Sequence, residues 1–229
     1  MGERPQPDLI ETVAMLGRLY EAPAYPVDPL ELILWENVGY LVDDARRRAL
    51  FDAFGEKIGF DAAGIAAADD AILMSLASAG GMRPDERVER WRRIAGIVLE
   101  DCEGDLDRHL RALPVAKARA LLRRFPGIGE PGADKILLFA DIAARPCLDS
   151  NGLRVLARLG FFDAGGSYAA AYRAAIEMMT VRGRDDRDWL VEAWLVLREH
   201  GKALCKRSAP LCWTCPLDEE CPHVVVRDL

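Results

Sequence analysis

The chain has 229 residues, 51% of them hydrophobic, with a formal net charge of −7. That apolar content excludes a disordered chain, and no apolar run approaches the roughly 18–20 residues that span a bilayer. The acidic balance weighs against a nucleic-acid partner only mildly, because affinity follows a local patch rather than the sum.

The opening "MGERPQPDLIETVAML" is acidic and amphipathic, without the basic stretch and apolar core of a signal peptide, so the expected location is cytoplasmic. Leu9, Ile10, Val13, Leu16 and Leu19 mark one face of a first helix. "DPLELILWENVGYLVDD" opens a second, with Asp28 as N-cap and Pro29 at the first helical position. Helical spacing continues through "DARRRALFDAFGEKIG", "DDAILMSLASAGG", "RPDERVERWRRIAGIVLEDC", "DLDRHLRALP" and "VAKARALLRRF". Beyond "PGIGEPG" it resumes in "ADKILLFADIAA", "SNGLRVLARLGFF", "YAAAYRAAIEMMT" and "DWLVEAWLVLREHGKALC". No strand-length alternation, repeat or long linker interrupts the series. The expected class is all-α, about ten short helices. Arginines cluster at 46–48, at 87–93 and, with Lys117, at 119–124; each cluster is either a solvated helix face or part of an anion-binding patch.

Four of the six cysteines stand at Cys205, Cys212, Cys215 and Cys221, separated by six, two and five residues. In a reducing compartment such a group points to metal rather than disulfides. Four thiolates this close suit a tetrahedral metal or a cubane iron–sulfur cluster, and spacing alone does not choose between them. Cys102 and Cys147 stand singly and read as small core residues. Between two helical stretches, Pro126-Gly127-Ile128-Gly129 makes a turn whose glycines let backbone N–H groups and a helix N-terminus approach a phosphate, with Arg123 and Arg124 adjacent. Taken alone, the same turn serves equally as a tight helix–helix connection.

The cysteine tail, led by "HGKALC" and carrying "CPL" after its third cysteine, resembles the [4Fe–4S] loop of the endonuclease III branch of the helix-hairpin-helix DNA glycosylases. The glycine turn with Ala133 behind it is similar to that superfamily's hairpin. The resemblance runs from about residue 28 to 223, with its specific motifs in three places. It implies two helical lobes: residues 29–143 as a six-helix lobe ending in the hairpin, and 1–28 with 144–229 as the cluster lobe. It implies a [4Fe–4S] cluster on the four cysteines. Gly127, Ile128, Gly129 and Arg124 would anchor the DNA backbone, and Lys202, Lys206 and Arg207 would contact phosphates from the cluster loop.

By position, the superfamily's essential carboxylate is Asp149, which would stabilise positive charge on the deoxyribose as the glycosidic bond breaks. Its residue-level alternative is an N-cap for the helix that follows, and the two roles are compatible. Asn151 and Glu36 match adenine glycosylases; Glu36 would protonate the leaving base if burial beside Trp35 raises its pKa, or is an exposed or ion-paired helix position. Members with lyase activity carry a lysine two positions past the second hairpin glycine, where this chain has Pro131. Lys135, one turn on, is either a displaced nucleophile or a surface, phosphate-facing lysine. Gly39-Tyr40-Leu41-Val42 replaces a Gln-rich stretch, which leaves the excised base open; Tyr40 is an aromatic wedge or a core aromatic. The implied protein is a monomeric, monofunctional glycosylase acting on a damaged or mismatched base in double-stranded DNA. The alternatives are a non-catalytic lesion binder and a glycosylase/lyase using Lys135.

Overall fold

The structure, a computed structural model, describes residues 7–21 and 23–223; residues 1–6 of the acidic opening lie outside them. Every regular element among the described residues is helical. The α-helices are α1 (Leu9–Leu19), α2 (Pro29–Asn37), α3 (Asp44–Lys57), α4 (Ala62–Ala67), α5 (Asp70–Ala79) and α6 (Pro84–Asp101), then α7 (Leu106–Ala112), α8 (Val115–Leu122), α9 (Glu130–Phe139), α10 (Ser150–Arg158), α11 (Tyr168–Arg182) and α12 (Arg187–Ala203). The all-α expectation holds, and none of these helices is long and apolar enough to cross a membrane.

Residues 29–143 carry eight α-helices, not the six of the sequence reading, and two local details differ as well. Helix α4, "AAGIAA", is too short to show a period; Asp61 starts it by accepting the Gly64 N–H at 2.7 Å. Helix α2 stops at Asn37 instead of running to Asp44, because Leu41 turns into the left-handed region (φ 54°) and the Tyr40 N–H is taken by Gly80 O at 3.0 Å.

Eight of the twelve α-helices begin on an aspartate whose carboxylate accepts first-turn N–H groups. Each such cap contributes about 1 kcal/mol. Much of the acidic excess is thus fixed at helix N-termini, where it meets the positive end of a dipole. The arginine clusters are likewise largely structural. Arg46 donates to Ala79 O, Arg87 to Met82 O at 2.9 Å, and Arg92 to Ile65 O and Ala68 O at 2.8 and 2.6 Å.

The chain divides into two compact units, Tyr25–Ala143 and Met1–Ala24 with Ala144–Leu229. In the first, α2 is buried on nearly every side, as its unbroken apolar run requires, and packs against α3, α6, α7 and α9. The Trp35–Phe51 ring contact at 5.3 Å ties it to α3, and Phe54–Trp91 at 5.0 Å ties α3 to α6. Tyr25 belongs here through its rings' contacts with Trp35 and Phe139, so the unit begins slightly before the Pro29 helix. In the second unit, α10 packs on α11 and α12, and α1 packs on α12. A Cβ on Gly201 would stand 2.7 Å from Asn151 Cβ and 2.9 Å from its carbonyl oxygen, so glycine is what lets α12 close against the start of α10.

Candidate active site and cysteine cavity

Within the Tyr25–Ala143 unit, α8 and α9 form a helix pair joined through residues 123–129. Gly127 sits at φ +74°, a conformation side chains disfavour, and both hairpin glycines are exposed. Gly129 is the N-cap of α9 and brings no capping side chain, so the first N–H groups of α9 face outward around an extended glycine. Ile128 is different: it is buried and anchors the turn from inside, and its N–H is taken by Phe125 O at 3.2 Å. Arg124 is half-exposed and ion-paired with Asp101 at 2.8 Å.

The residue that seats this turn was not visible in the sequence. Asn37, buried at the end of α2, donates its amide to Ile33 O and to Pro126 O at 2.9 and 3.0 Å. On the far side, Arg119 of α8 holds α9 through Asp134 (2.6 and 3.0 Å) and Glu130 (2.9 Å). Those contacts, that with Asp134 foremost, push the Arg119 guanidinium pKa further up, so this cation is a permanent staple.

Lys135 overturns the expectation of a surface or phosphate-facing lysine. It is 3% exposed, is paired with the Glu36 carboxylate, and lies over the rings of Tyr25 and Phe139 at 5.2 and 6.0 Å. Glu36 therefore faces an ammonium, not an apolar wall against Trp35. Elsewhere on α2, burial raises the Glu31 pKa, and Asp28 adds to the effect. The sequence reading passed over it.

Tyr40 is 52% exposed, not a core aromatic. It stands with Leu41 and Met82, both exposed, on two loops welded together by the Tyr40 N–H and by Arg46 and Arg87. Behind the tip lies a pocket of about 250 Å³ reached by Glu36, Asn37, Arg83 and Arg90.

In the other unit, Asp149 caps α10. Its Oδ1 accepts the N–H groups of Asn151 and Gly152 at 2.9 and 2.8 Å, and its Oδ2 accepts the Asn151 side-chain amide at 2.8 Å. Asn151 is oriented in turn by Arg154, which donates to its Oδ1 at 2.9 Å and to Gly201 O at 2.7 Å. Arg198 stands 3.6 Å from Asp149 Oδ2. Burial, and then the charge of Asp149, raise the Tyr168 pKa. From the first turn of α10 an open groove of about 770 Å³ runs past Tyr168 to Lys202, Lys206 and Arg207. The sequence-selected Asp149, Asn151 and three basic residues thus share one region, and Arg154, Arg198 and Tyr168 are additions to it.

The four tail cysteines line a single cavity of about 30 Å³, walled by α10, α12 and the apolar side chains of Leu204, Leu211 and Leu217. Cys102 and Cys147 are in the core, as expected. Cys215 is pushed up to about 11, first by burial and further by Cys205, Cys221 and Cys212, so the four sulfurs feel one another's charge. Arg158 donates to Cys205 Sγ at 3.4 Å and to Lys206 O at 2.7 Å. Buried His200 is held near 4 by burial and is neutral; Nε2 approaches Cys215 Sγ at 3.6 Å while Nδ1 meets the Tyr20 hydroxyl at 3.1 Å. An Nε2–H donating to sulfur and an Nδ1 accepting from tyrosine satisfies both contacts. Among the described residues, no three His, Cys, Asp or Glu side chains are arranged to hold a metal ion.

No family model matches the chain. Over 119 residues it is 28% identical to an endonuclease III of Sulfolobus acidocaldarius; the match takes in 52% of this chain, and the chain spans about half the length of that relative (50%). Among solved structures, a trapped endonuclease III–DNA covalent intermediate superposes with a TM-score of 0.74 at 18% identity, over 94% of this chain and 93% of that one. A thermostable thymine-DNA glycosylase gives 0.73 at 18% identity, covering 93% and 94%. A Helicobacter pylori 3-methyladenine DNA glycosylase bound to 1,N6-ethenoadenine gives 0.60 at 18% identity, covering 86% and 95%. At these identities the likeness establishes the fold.

Proposed function

We propose that this chain, built on the endonuclease III-like fold of the helix-hairpin-helix DNA glycosylases, is a monofunctional DNA glycosylase of base excision repair. It hydrolyses the N-glycosidic bond of a damaged or mismatched base turned out of double-stranded DNA. Water's oxygen bonds to C1′, the bond to the base breaks with its electron pair going to the base nitrogen, and an abasic site remains. The observation that carries the monofunctional reading is the burial of Lys135. Pro131 has no amine, and the nearby lysine is shut between two rings against Glu36. Neither supplies the nucleophile of a lyase.

Asp149 serves as a fixed negative charge toward the oxocarbenium-like sugar. Both of its oxygens already accept N–H groups, which favours an electrostatic role over proton abstraction. The exposed backbone of Gly127 and Gly129 grips phosphate, Lys202, Lys206 and Arg207 add charge along the groove, and Tyr40 refills the stack left by the extruded base.

The four cysteines suit a [4Fe–4S] cluster. They are soft sulfur donors lining one apolar cavity, with N–H donors from Arg158 and His200 at its wall. A cluster there would brace the loop that presents Lys206 and Arg207. Iron and sulfide analysis with visible absorption tests that assignment.

The function is tested by incubating the protein with duplexes each carrying one lesion, followed by hot alkali or none. Strand breaks only after alkali support base release without lyase action. Breaks without alkali, trapped by borohydride, would overturn the monofunctional reading, and absence of release from every lesion would leave a lesion binder.

A further inference from the structure

We propose that Arg198 is a positioning residue for Asp149, a resident counter-ion whose pull on the carboxylate is set by Glu199 and Lys202. The inference rests on the glycosylase reading above and concerns the same site.

A carboxylate that must meet a developing cation is weakened by a second cation beside it. Yet Arg198 Nε stands 3.6 Å from Asp149 Oδ2, with the two side chains only 13% and 26% exposed. This separation is longer than the 2.7–2.9 Å of a charge-assisted hydrogen bond. The guanidinium's close contact is instead with Glu199, through Nη1 and Oε1. The Trp194 ring, its centroid 5.8 Å from the guanidinium carbon, limits where it can go. Glu199 is in turn paired with Lys202 at 3.4 Å, and Lys202 lines the groove.

Charges therefore alternate along one path, from Lys202 through Glu199 and Arg198 to Asp149. Three of the four sit on α12, and the fourth is held against it by the close approach at Gly201. A phosphate that draws Lys202 away leaves Glu199 to Arg198 alone. Arg198 then neutralises Asp149 less, and the carboxylate presents its full charge when DNA occupies the groove. An empty site keeps its carboxylate compensated, and a filled one exposes it.

The test needs no knowledge of the excised base. Two duplexes carry abasic analogues of one shape: a pyrrolidine, cationic at neutral pH, and a neutral tetrahydrofuran. The ratio of their affinities reads the negative field at the sugar. Arg198→Gln should raise that ratio on the order of tenfold, as expected when a nearby screened cation is removed. Glu199→Gln should lower it, because Arg198 then turns its whole charge on Asp149, and Arg198→Lys should stay near the parent.

A merely structural role for Arg198 would weaken both duplexes alike and leave the ratio unmoved. An unchanged ratio in Arg198→Gln, or a shift of the same sign in both Gln variants, sinks the proposal while the glycosylase reading stands. If the parent protein prefers neither analogue over undamaged duplex, the glycosylase reading itself fails and takes this role with it.

Discussion

Removing Glu36 should cost stability, whereas removing Lys135 should not. The Lys135 ammonium is 3% exposed, while the Glu36 side chain remains 37% exposed. Deleting one partner of a fully buried pair costs about 3–5 kcal/mol, because a charge is left in a poor solvent. Water reaches Glu36, which screens the pair, and the rings of Tyr25 and Phe139 still face the ammonium. The expected loss for Glu36→Ala is therefore about 2 kcal/mol. In Lys135→Met an apolar chain of similar length fills the same space and Glu36 turns to solvent, so stability should stay within about 1 kcal/mol of the parent. Urea unfolding followed by far-ultraviolet circular dichroism, with m-values compared, measures both. If the two substitutions cost the same, or Glu36→Ala costs less than about 0.5 kcal/mol, charge pairing is not what the buried lysine depends on.

Tyr40→Ala should leave stability within about 0.5 kcal/mol, as for an exposed side chain, but weaken binding of a lesion-bearing duplex on the order of tenfold or more; equilibrium titration beside a thermal melt separates the two effects. Gly201→Ala places a Cβ against Asn151 backbone, so a loss of about 2 kcal/mol is expected, with base release falling as the Asn151 amide leaves Asp149; the melt and a single-turnover assay check it. Burial raises the Glu31 pKa above 4.5, so the folded state holds that proton more tightly. Stability then falls as pH rises through the window just above 4.5, and Glu31→Gln should flatten that slope in urea titrations across the range.

Local chemistry was the legible part. Asp28 and Pro29 announce the start of α2, and the carboxylate accepts the Leu30 and Glu31 N–H groups at 2.8 and 3.1 Å. The glycine turn announces the α8–α9 junction, and the spacing of four cysteines announces a shared cavity. Residues whose partners lie far along the chain were misread or missed. The run Asp134-Lys135 looks like the wet face of a helix. Nearly all of α9 is buried, however, and the two charges are met by Arg119 and Glu36, 15 and 99 positions away. Asn37 resembles an ordinary polar helix terminus until Pro126, 89 residues on, is found against its amide. Arg198 gave no signal because its meaning depends on α10 and α12 closing at Gly201.

Asn37 joins Pro126 to the last residue of α2, and Tyr40 follows three positions later. The phosphate grip proposed for Gly127 and Gly129, and the proposed wedge, are then jaws of one caliper with a fixed opening. A duplex is measured against that gauge rather than met by an adjustable hand. Stiff, well-stacked DNA resists the fit, while a step already loosened by damage or mismatch yields to it. On the proposed reading, lesions would be sorted first by mechanical compliance, before any atom of the base is read.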